Sequence, residues 1–341
     1  MIRARGTHRP ARSLTAALTG GILLAALAAA PVRAQQPPIG IIDLYGLVRT
    51  RPEVVRGALG LQVGDSVPAS PDTPIRNLEA LPGVASASLN PVCCEAGKTI
   101  LYVGIVEAGS PSIIWNPVPT GAARLPDTVR ALGRGFEDAL WEALRQGDGT
   151  EDRSAGHALM HFPQARRIQE EFPAIAAGNL DLLRTVLHTS AEAGDRALAA
   201  QIIAYTRDKQ AVVPDLVTAS RDPSESVRNN AVRALVVMAS AESVTVKVPP
   251  GPLVALLQSP VWTDRNKSSL ALMELTASRD PELLAALRPA RTALVEMARW
   301  KSLGHAGAAL TILGRMAGLT EQEIGTVWNG GDREKIIRAS Q

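Results

Sequence analysis

Apolar and polar positions follow two rhythms along the chain. Between residues 39 and 107 the apolar residues fall in short runs separated by Gly and Pro. Ile39-Gly40-Ile41-Ile42-Asp43-Leu44-Tyr45 reads as a strand closed by a turn at Gly46. Pro52 suits a first helical position, where its missing N–H is not needed. Val54, Val55, Ala58 and Leu59 then supply one apolar helical face. Leu61 to Asp65 breaks that helix, and a second starts at about Pro74, with Ile75, Leu78 and Leu81 on one side and Pro82-Gly83 ending it. Ser86–Val92 and Thr99–Val106 read as strands joined by a turn at Glu95 to Lys98. The predicted order is β-α-α-β-β. The last strand is almost continuously apolar, the mark of a central strand buried on both faces. Pro91 cannot donate to a ladder, so the strand before it is predicted to lie at an edge.

From about Leu125 onward the rhythm is helical. Cap chemistry predicts helix starts at Asp127, Asn179, Asp195, Asp222, Asp264 and Asp280. The clearest unit runs from Val212 through Asp222-Pro223 to Leu235 and beyond. In its second helix Val227, Ala231, Ala234, Leu235 and Met238 form a single buried stripe. Asp195-Arg196 precedes this unit, 32 residues before its Arg228, and Asp264-Arg265 follows 37 after, giving an internal repeat. Leu283–Trp300 and Leu303–Met316 read as a further, degenerate pair. Between the two rhythms, residues 109–125 carry Gly109, Pro111, Pro117, Pro119 and Gly121, the chemistry of a linker. Ile113-Ile114-Trp115 is an apolar triplet within it.

With those elements in place, residues 35–108 resemble a POTRA (polypeptide-transport-associated) domain. The matching residues are the first strand with Gly46, Leu59-Gly60-Leu61 leading to Gly64-Asp65, Leu81-Pro82-Gly83-Val84-Ala85, and the final Val106-Glu107. The unit around Asp222 resembles a HEAT repeat: an apolar helix, an Asp-Pro turn, then Val-Arg-x-x-Ala-x-x-Ala-Leu. The expected fold class is therefore an α+β module followed by an all-α HEAT-like solenoid. The expected layout is a signal peptide (1–34), the POTRA-like domain (35–108), the linker (109–125), a helical cap (126–178) and HEAT-like repeats (179–341). The first resemblance implies binding of polypeptides by strand addition, a mode in which free edge N–H and C=O groups template a new strand. It points to the edge carrying Ser86, Ser88 and Asn90. The second implies structural roles for Asp222, Val227 and Arg228, in capping and in bonding between repeats. Stacked repeats offer an extended surface for partners.

The leader changes how the charge is read. Residues 1–34 carry a basic start, an apolar stretch from Leu14 to Ala30 and a small-residue site at Val32-Arg33-Ala34. This predicts export to the periplasm or beyond the cell. The apolar stretch is short for a span, so an uncleaved anchor is the alternative, and no later segment predicts a span. The 36 Lys and Arg exceed the 33 Asp and Glu, but five arginines lie in the leader, so the rest of the chain is net −2. That excludes a basic nucleic-acid binder as the default. Aromatics are 3% of residues, which argues against stacking grooves for sugars or single strands.

Candidate chemistry is sparse. His157 and His161 have the i, i+4 spacing that brings two imidazoles to one helix face. Ala158 stands where a zinc hydrolase needs its glutamate; a third ligand would come from Glu170, Glu171 or His188 through the fold. Gly64-Asp65-Ser66 lacks a placed base, because His305 has Ser302 rather than Asp three residues before it. Cys93 and Cys94 are adjacent, either as free thiols or as a vicinal bridge, with an intermolecular link as the alternative. The sequence therefore predicts no catalytic residue, cofactor or metal. It predicts an exported, non-catalytic scaffold for a protein or peptide partner in the cell envelope. The alternative is a metal-binding protein or hydrolase using His157 and His161.

Overall fold

A computed structural model describes residues 37–111 and 113–341; the expected leader, 1–34, lies outside them. The N-terminal part runs β1 (Ile39–Tyr45), α1 (Pro52–Leu59), α2 (Asp72–Glu79), β2 (Val84–Glu95) and β3 (Lys98–Glu107), in the order that the patterning predicts. The sheet is β1-β3-β2, with β1 parallel and β2 antiparallel to β3. The near-continuous apolar strand is thus the central one, and Pro91 sits in an edge strand. Leu101, Val103 and Ile105 face α1 and α2 through Val55, Leu59 and Leu78. Tyr45, Ile100 and Tyr102 join the core of the helical part instead. A side chain at Gly46, whose φ is +80°, would collide with the carbonyl of Ile105, so only glycine closes β1 there.

The helical part contains α3 (Asp127–Arg145), a small hairpin of β4 (Glu151–Asp152) and β5 (Leu159–Met160), then α4 (Pro163–Gln169) and α5 (Phe172–Gly178). Helix pairs follow: α6 (Leu180–Thr189) with α7 (Ala193–Ile203), α8 (Val213–Ala219) with α9 (Glu225–Ser240), and α10 (Pro250–Leu256) with α11 (Trp262–Leu275). Next come α12 (Pro281–Ala286) and α13 (Arg291–Ala298) with α14 (Leu303–Met316), and last α15 (Glu321–Gly325) and α16 (Arg333–Ala339). The second helices α7, α9, α11, α14 and α16 pack successively on one another, making a helical repeat solenoid. The hairpin corrects the all-helical reading of this region.

Helix starts also differ from the prediction. Asp280 caps α12 through the Glu282 N–H. Asp195, Asp222 and Asp264 make no cap of their helices, which begin after Glu192, Ser224 and Val261. They are tied across the structure, and Asp222 in addition accepts the Ser224 N–H just before α9 at 2.8 Å. Arg196 grips Asp222 with two bonds of 2.8 Å, and Arg228 grips Asp264 with two of 2.9 Å. Arg265 continues the ladder to Glu296 at 3.0 Å. Each arginine also donates to the carbonyl six residues before it: Ser190, Asp222 and Ser259. All three guanidiniums are buried, and planar forks of this kind satisfy carboxylate and carbonyl together.

The turns that hold this ladder are covered by the N-terminal part. Gly121 exchanges backbone bonds with Thr189 and Ala191. Asn116 N–H donates to Arg221, and the Trp115 ring lies 4.2 Å from the Arg228 guanidinium. Tyr45 hydroxyl donates to Pro260 at 2.6 Å, while its ring lies 4.5 Å from Arg265. Asp43 accepts from Lys301 N–H at 2.8 Å, and Glu95 from Ser302 hydroxyl at 2.6 Å. Tyr102 stacks on Trp262 and tilts against Trp300 and His305. A side chain at Gly104 would strike the Pro260 carbonyl, so glycine is what lets this turn approach the sheet.

Candidate binding groove

The helix α3 is amphipathic, and Val129, Phe136 and Ala143 are its buried stripe. Gly133 admits Leu198 of α7, whose methyl groups occupy the space of a Cβ. Beside that stripe, on the side that lines the groove described below, α3 leaves Trp141 61% and Leu144 48% exposed. After α3 the chain turns at Gly147 and Gly156, both with positive φ, to form the β4–β5 hairpin. A buried network holds that hairpin: Met160 N–H donates to Gln169, Gln169 to Tyr205 hydroxyl, and Tyr205 to Ala158 carbonyl, at 2.6–2.9 Å. Glu151 at the hairpin's start is paired with Arg153 and with Arg233 of α9.

These elements enclose a groove of about 760 Å³. Trp141 and Leu144 of α3 with Leu198 of α7 make an apolar wall, and residues of the hairpin, of α9 and Lys267 of α11 line the rest. Lys267 is half-buried. Burial, reinforced by the Arg233 and Arg153 charges and opposed by Glu151, brings its pKa down to about 8. Among the described residues no side chain or carbonyl bonds its ammonium. Sequence reasoning missed the groove, because its residues come from α3, a hairpin and three repeats.

Of the sequence-predicted residues, His157 lines the groove, whereas Ser86, Ser88, Asn90, Asp222, Val227 and Arg228 do not. Ser86, Ser88 and Asn90 are half-buried, on the sheet face turned to the solenoid. Ser88 hydroxyl donates to the Pro260 carbonyl and Asn90 donates to Ser88, so these side chains serve internal docking. On the outer edge of β2 the Ala87 N–H is already taken by Glu79 at 3.2 Å. Val227 is fully buried in α9, and Asp222 and Arg228 belong to the ladder described above.

His157 and His161 do not share a helix face, because they flank the short strand β5. His157 packs 4.6 Å from the Tyr205 ring, with Nδ1 3.0 Å from Lys209 Nζ. Burial, and then that ammonium, push its pKa down to about 4. His161 faces Thr150 hydroxyl at 3.1 Å. Glu170 pairs with Arg166, and His188 with Asp215. Among the described residues no three His, Cys, Asp or Glu cluster as metal ligands do. Cys93 and Cys94 are bonded to each other at the exposed end of β2. His305 Nδ1 meets Tyr102 hydroxyl at 2.7 Å.

No protein-family model matches the chain, and no curated protein matches it in sequence. Among solved structures it is similar to a designed armadillo repeat protein at 16% identity and a TM-score of 0.37, covering 62% of this chain and 98% of that one. It is also similar, at 19% identity and a TM-score of 0.37, to a designed armadillo repeat protein in complex with the peptide (KR)4; 63% of this chain and 97% of that one are covered.

Proposed function

We propose that this chain is an exported, non-catalytic scaffold that binds an extended polypeptide segment in the groove between α3, the β4–β5 hairpin and the repeat helices. The observation that carries this reading is the groove with an exposed Trp141 in its wall. An exposed tryptophan beside Leu144 is the kind of anchor that dominates polypeptide interfaces. The volume lies within the range of sites that enclose ligands. Export rests on the leader of residues 1–34, and the POTRA-like and HEAT-like assignments rest on the motifs quoted above. In this reading the POTRA-like module is a fixed part of the scaffold, and strand addition at β2 is secondary. Pro91 and the Glu79 bond each remove an edge donor.

The test is a display library of random peptides selected against the purified chain. Enriched peptides are expected to bind in solution, and Trp141→Ala is expected to weaken them by about tenfold or more with the circular dichroism unchanged. Failure to enrich any peptide, or affinity indifferent to Trp141→Ala, would overturn the reading.

A further inference from the structure

The inner end of the groove carries charge that an apolar wall does not explain. Glu151 is already held by two arginines, Arg153 and Arg233. Arg233 reaches it through Nη2, and among the described residues its Nε and Nη1 make no bond. Lys267, one repeat further on, has its ammonium unbonded. Three cations therefore surround one carboxylate, on adjacent helices α9 and α11 and the facing hairpin. A half-buried ammonium whose nearby carboxylate, Glu151, is already paired with two arginines is costly, and a second carboxylate placed between Lys267 and Arg233 would reduce that cost.

We propose that Lys267 and Arg233 hold a carboxylate of the bound segment, so that the partner is an acidic peptide. This rests on the reading of the groove as a polypeptide site. A basic peptide would meet three like charges there. The apolar wall of Trp141 and Leu144 lies in the same groove, which suits a carboxylate carried on a chain with side chains rather than a free anion.

The probes are fluorescein-labelled hexaglutamate, hexaglutamine and hexalysine, read by anisotropy on the full chain at low salt. Hexaglutamate is expected to bind about tenfold or more tightly than either other peptide, and its affinity to fall as salt rises. Lys267→Met is expected to lose about tenfold, and Lys267→Arg to restore it. The groups facing Lys267 are Arg233 on α9, Glu151 and Arg153 on the hairpin, and His305 on α14. Of these groups Lys267 is the one whose charge disappears near pH 8, so affinity should fall from about pH 7 to about pH 9 and stay level in Lys267→Arg. Hexaglutamate binding no better than hexaglutamine, or unaffected by Lys267→Met, would overturn the proposal. Inorganic phosphate binding as tightly as hexaglutamate would overturn it in favour of a free-anion site. Library peptides still anchored on Trp141 would then leave the polypeptide reading standing; their failure too would sink both.

Discussion

Glu107, at the end of β3, is a carboxylate 1% exposed that accepts the backbone N–H groups of Val48, Arg49 and Thr50 and the Arg49 side chain. Burial alone would raise its pKa; the four donors outweigh burial and hold it at about 2. Its ordinary value is 4.5, so the folded value is the depressed one. The stability it contributes is present above about pH 4.5 and is lost as pH falls towards about 2. Glu107→Gln is expected to cost about 2 kcal/mol at neutral pH, less than the full shift implies because Arg49 reaches into solvent. Urea unfolding followed against pH checks this: the gap between the parent chain and the variant should close between about pH 4.5 and 2, and parallel curves would refute it. His157 acts in a higher window. Its folded pKa is lowered to about 4 from an ordinary 6.5, so its neutral form is the stabilised one. Stability from that site is lost as pH falls from about 6.5 towards 4.

At the scale of elements, the Arg–Asp ladder joins consecutive repeats. The Arg228 and Asp264 side chains are 4% and 0% exposed, and removing one strands the other as a buried charge. Arg228→Met is expected to cost about 3–5 kcal/mol, whereas Arg228→Met with Asp264→Leu should recover much of it. Thermal or urea unfolding of both variants decides this; a double variant as unstable as the single one would mean that the carbonyl bonds of Arg228 matter more than the ion pair. The ladder also marks where the sequence was legible. The β-α-α-β-β order, the central β3 and the α8–α9 unit follow from local periodicity, which a single stretch of chain displays. Asp195, Asp222 and Asp264 looked like caps because an acid near a helix start has the same appearance whether it binds its own N-terminus or a neighbouring repeat. The β4–β5 hairpin was hidden because strands of two residues cannot show alternation. Lys267, Arg233 and Trp141 meet only through the stacking of separate elements, so no motif spacing announces them. The histidine pair failed for the opposite reason: a spacing that converges on a helix has no such meaning around a strand.

For the whole molecule, what matters is how the N-terminal part sits on the solenoid. Four successive turns of the repeats are each covered by a different piece of it: Gly121 on the first, Asn116 and Trp115 on the second, Tyr45 and Ser88 on the third, Asp43 and Glu95 on the fourth. Residues 113–125, within the stretch that composition marks as a linker, run as a strap along the first two of those turns and lead into α3, the wall of the groove. The sheet therefore has its own anchorage, independent of the strap, in the Tyr102, Trp262 and Trp300 cluster and the bonds of Asp43 and Tyr45. Aromatic contacts of this kind contribute about 0.5–1.5 kcal/mol each beyond the area they bury. A protease site inserted between Val118, 67% exposed, and Pro119 tests this. After cleavage the two fragments are expected to elute together in size-exclusion chromatography and to separate only in denaturant. Introducing Gly104→Val, which drives a side chain into the Pro260 carbonyl and Tyr45, should release the N-terminal fragment from the cut chain. Fragments that part in native buffer without that substitution would show that the strap, not the sheet face, holds the module in place. Peptide affinity of the cut but docked chain reads the same balance at the groove. If it is unchanged, α3 is positioned by its own packing on α7; if it falls, tension along the strap sets the groove.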